Sequence, residues 1–290
     1  MHPRMIEKGM FQFVSAIAFG LLLAVSYAQE PFVPREWLED RLRRQGDRLV
    51  FCIHKDGLTA QFDRSVASQL ADVLLLEADF YEVVPPLRPT PPLDYRLPLT
   101  EDQLFLIMTD RCEAFMNFSL AAGTYPEWMM LTRSYYRSGF VLAVTESDYE
   151  ELADIPFDQP IGSRMLTSAD IRFATYLHSL AEGSRWQRFP YPDNQMLLER
   201  LVDGTVAAAL IWEPALDAFV EANAEAEGIQ IIGTDPFQPP EMEFGIALRA
   251  RDSFLRTLLD EAIVAIIEDG AVEQLLEDHS LPGRPGSLGP

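Results

Sequence analysis

Short apolar runs alternate with amphipathic stretches along most of the chain, a pattern typical of an α/β protein. The run Leu49–His54 predicts a buried strand, and apolar side chains then recur at three- and four-residue spacing from Val66 onward. This spacing predicts a helix over Arg64–Glu77, with Asp63 as its N-cap. The next apolar run, Phe80–Val84, predicts a second strand, so these elements would form a strand–helix–strand unit.

The same alternation continues toward the C-terminus. Further helices are predicted at Glu101–Arg111, Ser168–Ala181, Asn194–Asp203, Glu213–Ala226 and Asp252–Glu277, the last as one helix or two. Further strands are predicted at Cys112–Phe118, Ser138–Val144, Pro160–Ser163, Val206–Trp212, Ile229–Ile232 and Phe244–Leu248. Residues 85–98 contain six of the 21 prolines, which predicts an extended surface connection rather than a helix or strand. The fold class is therefore α/β, in two lobes.

The N-terminal residues have the pattern of a secretory signal. Arg4 and Lys8 precede the apolar run Phe13–Val25, and small residues at Ser26 and Ala28 then occupy the positions expected before a cleavage site. The alternative is a membrane anchor, but the run is shorter than the roughly 20 residues that a spanning helix needs. We therefore expect a cleaved signal over residues 1–28, an N-terminal arm over 29–46 and an exported mature protein.

Composition narrows the classes of partner. The chain is 48% hydrophobic and 23% charged, which is typical of a sequence that folds, and its 45 acidic and 23 basic residues give a net charge of −22. Nucleic acids and anionic membranes require a basic face, so the charge argues against both. Two cysteines and four scattered histidines predict no metal site. Cys52 and Cys112 either form a disulfide, which export allows, or are two small buried side chains.

Three segments are more distinctive than the general pattern. They read TRSYYRS at 132–138, AALIWEP at 208–214 and FGIALR at 244–249. In these segments, and in the order of elements over residues 47–283, the chain resembles periplasmic solute-binding proteins of the extracellular family 3 type. The resemblance is greatest to the branch associated with quinoprotein dehydrogenases, the J proteins encoded beside periplasmic methanol dehydrogenases. The chain departs from that branch at Ser134, where proline is usual, and at Glu213, where glycine is usual.

The resemblance implies a type II periplasmic-binding fold, the two-lobe Venus flytrap. Lobe 1 would comprise residues 47–138 and 249–283, and lobe 2 would comprise residues 139–248 with two hinge strands near 139–144 and 244–248. Residues 284–290 would form a flexible tail. The family location is the periplasm, and the fold implies no cofactor. The partners would be a small solute, an ABC-type permease, or a periplasmic quinoprotein (PQQ-dependent) alcohol dehydrogenase or its cytochrome.

Amino-acid receptors of this family hold the solute with an arginine for its carboxylate and an aspartate for its ammonium group. In this chain Tyr125 and Trp212 occupy these two positions, although Glu213 or Arg133 could partly substitute. The pattern argues against a standard α-amino acid as the solute. An aromatic-walled cleft for a flat or apolar solute, or else core and hinge packing, is instead suggested by Tyr125, Trp128, Tyr135, Tyr136 and Trp212.

Charged residues complete the candidate site. Arg137 and Arg164 could bind an anion, Arg164 beside a helix N-terminus, or both could be ordinary surface arginines. The full set of candidate cleft residues is Lys55, Ser119, Tyr125, Trp128, Tyr136, Arg137, Arg164, Trp212 and Glu213. The sequence contains none of the GxSxG, P-loop, HExxH or GxGxxG motifs, so we expect no catalysis. Three roles stay open: uptake receptor, dehydrogenase accessory factor, and, third, an enzyme on the same fold.

Overall fold

The structure is a computed structural model that describes residues 47–85, 87–90, 93–96, 99–120, 125–226 and 228–287. The predicted signal over 1–28 and arm over 29–46 lie outside these residues. The described part is mixed α/β, as predicted. Among the described residues, no helix combines the length and the apolar character that crossing a bilayer requires.

The predicted strand–helix–strand unit is confirmed. Strand β1 (Arg48–His54) pairs in parallel with β2 (Glu77–Val83), and helix α1 (Ala60–Val73) connects them. The predicted N-cap at Asp63 was wrong, because α1 begins at Ala60 with Thr59 at the N-cap position, four residues before the predicted first helical residue, Arg64. Asp63 instead lies inside the first turn and is buried. Its carboxylate accepts hydrogen bonds from the Thr59 and Tyr135 hydroxyls.

The proline-rich segment contains more structure than predicted. Strands β3 (Leu87–Thr90) and β4 (Leu93–Arg96) pair antiparallel with each other as a separate two-stranded hairpin. Proline is tolerated there because both strands are edge strands. On the solvent side of an edge strand, a missing N–H removes no hydrogen bond to a neighbouring strand. Helix α2 (Glu101–Asp110), strand β5 (Ala114–Ser119) and strand β6 (Met129–Leu131) follow.

Two long strands pass between the lobes. Strand β7 (Tyr136–Val144) pairs through residues 136–139 with residues 241–244 of strand β12 (Glu241–Arg249). The remaining residues of β7 pair with strand β10 (Ala208–Trp212). Because β7 leaves one sheet and enters the other, and β12 runs back beside it, these strands are where the lobes can rotate about each other.

The second lobe is a further α/β set. Its elements are β8 (Ile161–Arg164), α3 (Ser168–Ser179), β9 (Arg188–Tyr191), α4 (Asn194–Val202), β10, α5 (Glu213–Ala222) and β11 (Gln230–Ile232). The strand order across the molecule is β2-β1-β5-β12-β7-β10-β8-β9. Each lobe has its own apolar core, the first around Phe51, Phe62 and Ile263 and the second around Phe173, Trp186 and Leu210.

Helices α6 (Ser253–Glu268) and α7 (Ala271–Asp278) return the chain to the first lobe. Residues 284–290 were predicted as a flexible tail, but strand β13 (Arg284–Pro285) pairs with β7, and Arg284 forms an ion pair with Glu241 at 2.6 Å. Gly286 is buried against the Ser134 carbonyl, where an added Cβ would overlap that group. The pairing with β7 therefore holds residues 284 and 285 of the predicted tail, and its last residues, 288–290, lie outside the described part of the chain.

Cys52 and Cys112 form a disulfide with a Cα–Cα distance of 5.6 Å. It joins the middle of β1 to the residues just before β5, across a sequence separation of 60. Both cysteines are buried in an apolar cluster that also contains Leu104, Met108 and Phe115. The disulfide thus connects two neighbouring strands of the first lobe through its core.

Candidate functional site

A cavity of about 650 Å³ opens between the two lobes. Its walls come from three places: the end of β5, the turn from β8 into α3, and the start of β12. The residues that form them are Ser119, Leu120, Arg164, Leu166, Thr167, Ser168, Pro240, Glu241, Met242 and Glu243. Two of the predicted cleft residues, Ser119 and Arg164, therefore lie at one site. The cavity combines apolar side chains with charges of both signs.

The second-lobe wall is the N-terminus of α3. Thr167 is its N-cap, and the Thr167 hydroxyl accepts a hydrogen bond from the Asp170 N–H at 3.1 Å. Leu166, just before the cap, has a φ of +64°, an uncommon conformation that turns the chain sharply from β8 into the helix. A helix N-terminus carries free N–H groups and a partial positive charge, so this wall favours a negatively charged group in the cavity.

Asp170 holds this turn in place. Its side chain is only 5% exposed and accepts hydrogen bonds from the Ser163 hydroxyl at 2.6 Å and from the Leu166 N–H at 3.1 Å. Arg188, on the neighbouring strand β9, donates a further hydrogen bond to the same carboxylate. Strand β8, strand β9 and the turn into α3 are therefore all hydrogen-bonded to the buried Asp170 carboxylate. These bonds hold Arg164 and Thr167 at the cavity.

The cavity presents two charged side chains that have no partner within the described residues. Arg164 is exposed at the end of β8, and Glu243 is half-buried on β12; the described part of the chain gives neither an ion pair nor a side-chain hydrogen bond. Glu241, the neighbouring acid, is already held by Arg284. The unpaired guanidinium and the unpaired carboxylate make the cavity complementary to a solute with opposite charges at its two ends.

Three predicted residues lie near the hinge instead of lining the cavity. Tyr136 is fully buried, with its ring stacked 5.5 Å from that of Phe244 and its hydroxyl donating to the Pro282 carbonyl at 2.6 Å. Arg137 donates through Nε to the Pro285 carbonyl at 3.0 Å, so it holds the C-terminal segment. Trp212 is half-buried, and its ring lies 5.7 Å from that of Phe244. These side chains join the lobes and do not form an aromatic wall of the cavity.

The other predicted residues are distributed around the first lobe and the hinge. Lys55 is exposed, with its Nζ 3.8 Å from a Glu82 carboxylate oxygen. The Tyr125 hydroxyl donates to the Ser119 carbonyl at 2.7 Å, so Tyr125 contacts a residue that lines the cavity. Trp128 lies in a different pocket of the first lobe. Glu213 begins α5 beside the hinge, where burial raises the pKa of its carboxyl.

Glu243 and Thr167 are cavity residues that the sequence analysis missed. A signal existed for Thr167, because a threonine three residues before an acidic residue at a helix start is a typical N-cap pattern. Glu243 stands out less: it is a charged residue just before the apolar run Phe244–Leu248, which resembles an ordinary strand boundary. Only the pairing of β12 with β7 places it opposite α3.

A buried polar network supports the first-lobe wall. The Tyr135 hydroxyl donates to Asp63 at 2.6 Å, and it accepts from the Asn117 N–H at 3.0 Å. The Asn117 side chain donates to the Thr59 hydroxyl, which in turn donates to Asp63. Burial raises the pKa of Asp63 to about 7, although both hydrogen bonds act in the opposite direction. The network fixes Asn117, two residues before Ser119 of the cavity.

Comparison with solved structures identifies the fold. An amino-acid ABC transporter substrate-binding protein from Streptococcus pneumoniae, bound to L-arginine, matches with a TM-score of 0.54 at 17% identity, over 83% of this chain and 97% of that chain. A mutant of ArgBP from T. maritima matches with a TM-score of 0.51 at 16% identity, over 82% and 96%. An ancestral cationic amino acid solute-binding protein matches with a TM-score of 0.55 at 16% identity, over 81% and 96%.

No protein-family model matches the chain, and no curated protein matches it in sequence. The likeness is therefore one of fold: the chain has the two-lobe architecture of the substrate-binding proteins of ABC transporters. The predicted fold class is confirmed.

Proposed function

We propose that this protein is a non-catalytic, periplasmic solute-binding protein that holds a small zwitterionic solute between its lobes and delivers it to an ABC-type permease. The observation that carries the proposal is the pair of unpartnered charges, Arg164 and Glu243, in one cavity at the lobe junction. The solved structures of the same fold with bound L-arginine or histidine are consistent with a solute of this size and charge distribution.

The expected binding geometry follows from the cavity walls. The anionic group of the solute lies against the N-terminus of α3 and Arg164, and the cationic group lies toward Glu243. Leu120, Leu166 and Met242 contact the apolar part of the solute. Charge-assisted hydrogen bonds are stronger in a site that excludes water, so rotation about β7 and β12 to close the cavity would increase affinity.

This proposal revises the expectation that a standard α-amino acid does not bind. That expectation relied on Tyr125 and Trp212, and neither residue lines the cavity. The charges needed for a zwitterion are supplied from other positions, Arg164 and Glu243. An amino acid is therefore among the solutes that the site can accommodate.

A second candidate is an accessory factor for a periplasmic quinoprotein dehydrogenase, which would contact the dehydrogenase or its cytochrome in place of a solute. It rests on the three distinctive segments at 132–138, 208–214 and 244–249. Thr132, Ser134, Tyr135 and Tyr136 are buried at the hinge, and Phe244–Leu248 is buried in β12. These segments connect the lobes, so their resemblance to the family supports the fold more than it supports a docking partner. The solute-binding role is for that reason our first proposal.

The test uses the mature chain purified from its own host and measured by native mass spectrometry. A small adduct that is lost on denaturation supports the proposed role and gives the mass of the solute. Calorimetry with that solute then compares Arg164→Ala and Glu243→Gln with the control Arg172→Ala, an exposed arginine on helix α3 that does not line the cavity. We expect affinity to fall at least tenfold in the first two variants and to stay unchanged in the control, because each loses one charge-assisted contact.

Two results would overturn the proposal. The first is a stable complex with a dehydrogenase subunit or cytochrome and no small adduct, which supports the accessory role. The second is a bound solute whose affinity is the same in Arg164→Ala, Glu243→Gln and Arg172→Ala, which places binding outside this cavity.

A further inference from the structure

The first lobe contains a second cavity, separate from the one between the lobes. It has a volume of about 290 Å³ and lies between α2 and the C-terminal end of β12, lined by Phe105, Thr109, Trp128, Arg249, Ala250 and Arg251. None of these residues lines the first cavity. Arg249 is six residues beyond Glu243 on the same strand, a distance of roughly 20 Å along an extended chain.

Two aromatic rings form the apolar part of this cavity. The ring centroids of Phe105 and Trp128 lie 5.2 Å apart, with the rings at 81° to each other. The Trp128 indole N–H donates to Glu101 at 3.0 Å, which fixes the orientation of the ring. Phe105 is 42% exposed, a large fraction for a phenylalanine. The aromatic surface is thus held in position but left open to a molecule that enters the cavity.

The polar part of the cavity has unused hydrogen-bonding capacity. Arg249 is only 3% exposed, and its Nε donates to Asp252 at 2.6 Å. Its Nη2 atom is buried and has no acceptor among the described residues, and the same is true of the Thr109 hydroxyl. Buried polar groups are rarely left unpaired in native proteins. Two such groups in one cavity therefore indicate a molecule that brings an acceptor with it.

We propose that this cavity binds a small planar aromatic molecule that carries an acceptor oxygen, either a carboxylate or a carbonyl. The ring would contact Phe105 and Trp128, and the oxygen would accept from Arg249 Nη2 and the Thr109 hydroxyl. Asp252 already pairs with Arg249, so the acceptor oxygen need not carry the full negative charge that would balance that arginine. An apolar cavity of about 150 Å³ holds benzene, so the present one has room for a ring with one substituent.

The experiment uses the full mature chain and three fluorinated probes observed by fluorine NMR. The probes are 4-fluorobenzoate, 4-fluorobenzamide and fluorobenzene, which share the ring and differ in the acceptor oxygen. We expect saturable binding of the first two and at least tenfold weaker binding of fluorobenzene. Binding of the benzoate alone identifies a carboxylate ligand, whereas binding of both identifies a carbonyl oxygen as sufficient.

Variants locate the binding. We expect Phe105→Ala and Thr109→Val to weaken binding of the bound probe at least fivefold, and the control Phe254→Ala, an exposed phenylalanine on α6, to leave it unchanged. Phe105 is on the surface, so its variant folds even if Thr109→Val does not. No saturable binding of either oxygen-bearing probe would overturn the proposal, as it would mean that water alone fills the cavity. Equal binding of fluorobenzene, or equal binding by Phe105→Ala and Phe254→Ala, would overturn it as well.

This inference does not depend on the proposed solute-binding function. Arg164→Ala alters the cavity between the lobes and leaves this one intact, so it should not change probe binding. A probe that loses affinity in Arg164→Ala but not in Phe105→Ala is binding between the lobes, and that result contradicts the inference.

Discussion

Each lobe places a buried aspartate in the first turn of the helix that follows its first strand, yet the two aspartates have different partners. Within the described part of the chain, the Asp63 carboxylate of α1 accepts from the neutral hydroxyls of Thr59 and Tyr135 and from no charged group. Asp170 of α3 accepts from the Ser163 hydroxyl and from the Arg188 guanidinium. The aspartate at this helix position therefore accepts hydrogen bonds within the core of the first lobe. In the second lobe it forms an ion pair at the wall of the cavity.

The difference shows where the molecule uses charge. In the first lobe the polar network around Asp63 consists of neutral hydroxyl and amide groups, and Asp63 and Tyr135 are buried. In the second lobe the Asp170–Arg188 ion pair holds a turn whose own charged residue, Arg164, has no side-chain partner among the described residues. A binding group needs free capacity, whereas the groups that position it are satisfied by one another. Four predictions sharpen this comparison.

The largest effect is expected from the disulfide, which only the first lobe has. Replacing both cysteines, Cys52→Ser with Cys112→Ser, should lower the free energy of unfolding by about 4 kcal/mol, since the closed loop spans 60 residues. Hydrogen exchange measured by mass spectrometry should show the loss of protection in β1 and β5 before β8 and β10. Equal loss of protection in both lobes would contradict the view that the two cores are separately stabilised.

The second-largest effect on stability is expected from removal of the buried Asp63 carboxylate in the first lobe. Asp63→Ala leaves the Thr59 and Tyr135 hydroxyls buried without their acceptor, so we expect a loss of about 3 kcal/mol in the free energy of unfolding. Urea unfolding of this variant is compared with Asp72→Ala, an exposed aspartate on the same helix that should change stability by less than about 0.5 kcal/mol. Similar values for the two variants would mean that the network carries no stabilisation.

The corresponding change in the second lobe should act on binding as well as stability. Asp170→Asn keeps an acceptor but removes the charge that pairs with Arg188, so we expect a loss of about 1–2 kcal/mol in stability. Because the turn that carries Arg164 is then less well held, the affinity for the solute should fall about tenfold. Calorimetry with the control Asp148→Asn, an exposed residue of the same lobe, checks this. Unchanged affinity would restrict Asp170 to a role in folding.

The fold was predictable because its elements are encoded by local patterns. Each long strand and helix has apolar residues at a spacing that can be read within ten or so positions, and the order of these elements specifies the two lobes. The short strands β6 and β9 were missed, since three or four residues, one of them Pro190, do not establish a period. The start of α1 was also misplaced: an aspartate before an amphipathic run resembles an N-cap, and only tertiary contacts show that it is buried.

The candidate site was predictable only in part. Ser119 and Arg164 lie at ends of strands, where binding residues of α/β folds are expected, and both line the cavity. Tyr136 and Trp212 were assigned to the site because they are aromatic, but a hinge between two cores also needs large side chains. Glu243 was missed because its position opposite α3 depends on strands that are about 100 residues apart in the chain. Long-range pairing of this kind leaves no local signal.

The last prediction separates the two aspartates by pH. The pKa of Asp63 in the folded protein is raised to about 7, above its value in the unfolded chain, so the folded state binds the proton more tightly. The stability due to this group is complete below about pH 4 and is lost as the pH rises toward 7. Tyr135 and Tyr136, the titratable groups that face it, have pKa values raised above their usual range by burial and stay protonated in this window.

The measurement is urea unfolding of the unmodified protein, Asp63→Asn and the control Asp72→Asn at pH 5.0, 6.0 and 6.5. Asparagine does not titrate, so the stability of the unmodified protein relative to Asp63→Asn should decrease with rising pH by about 1 kcal/mol per pH unit. The control Asp72→Asn, a change at an exposed position of the same helix, shows whether a substitution on α1 by itself produces such a slope. A flat difference for Asp63→Asn would mean that Asp63 is ionised throughout. The first-lobe network would then hold a buried charge, as the second-lobe turn does, and the contrast between the two lobes would be lost.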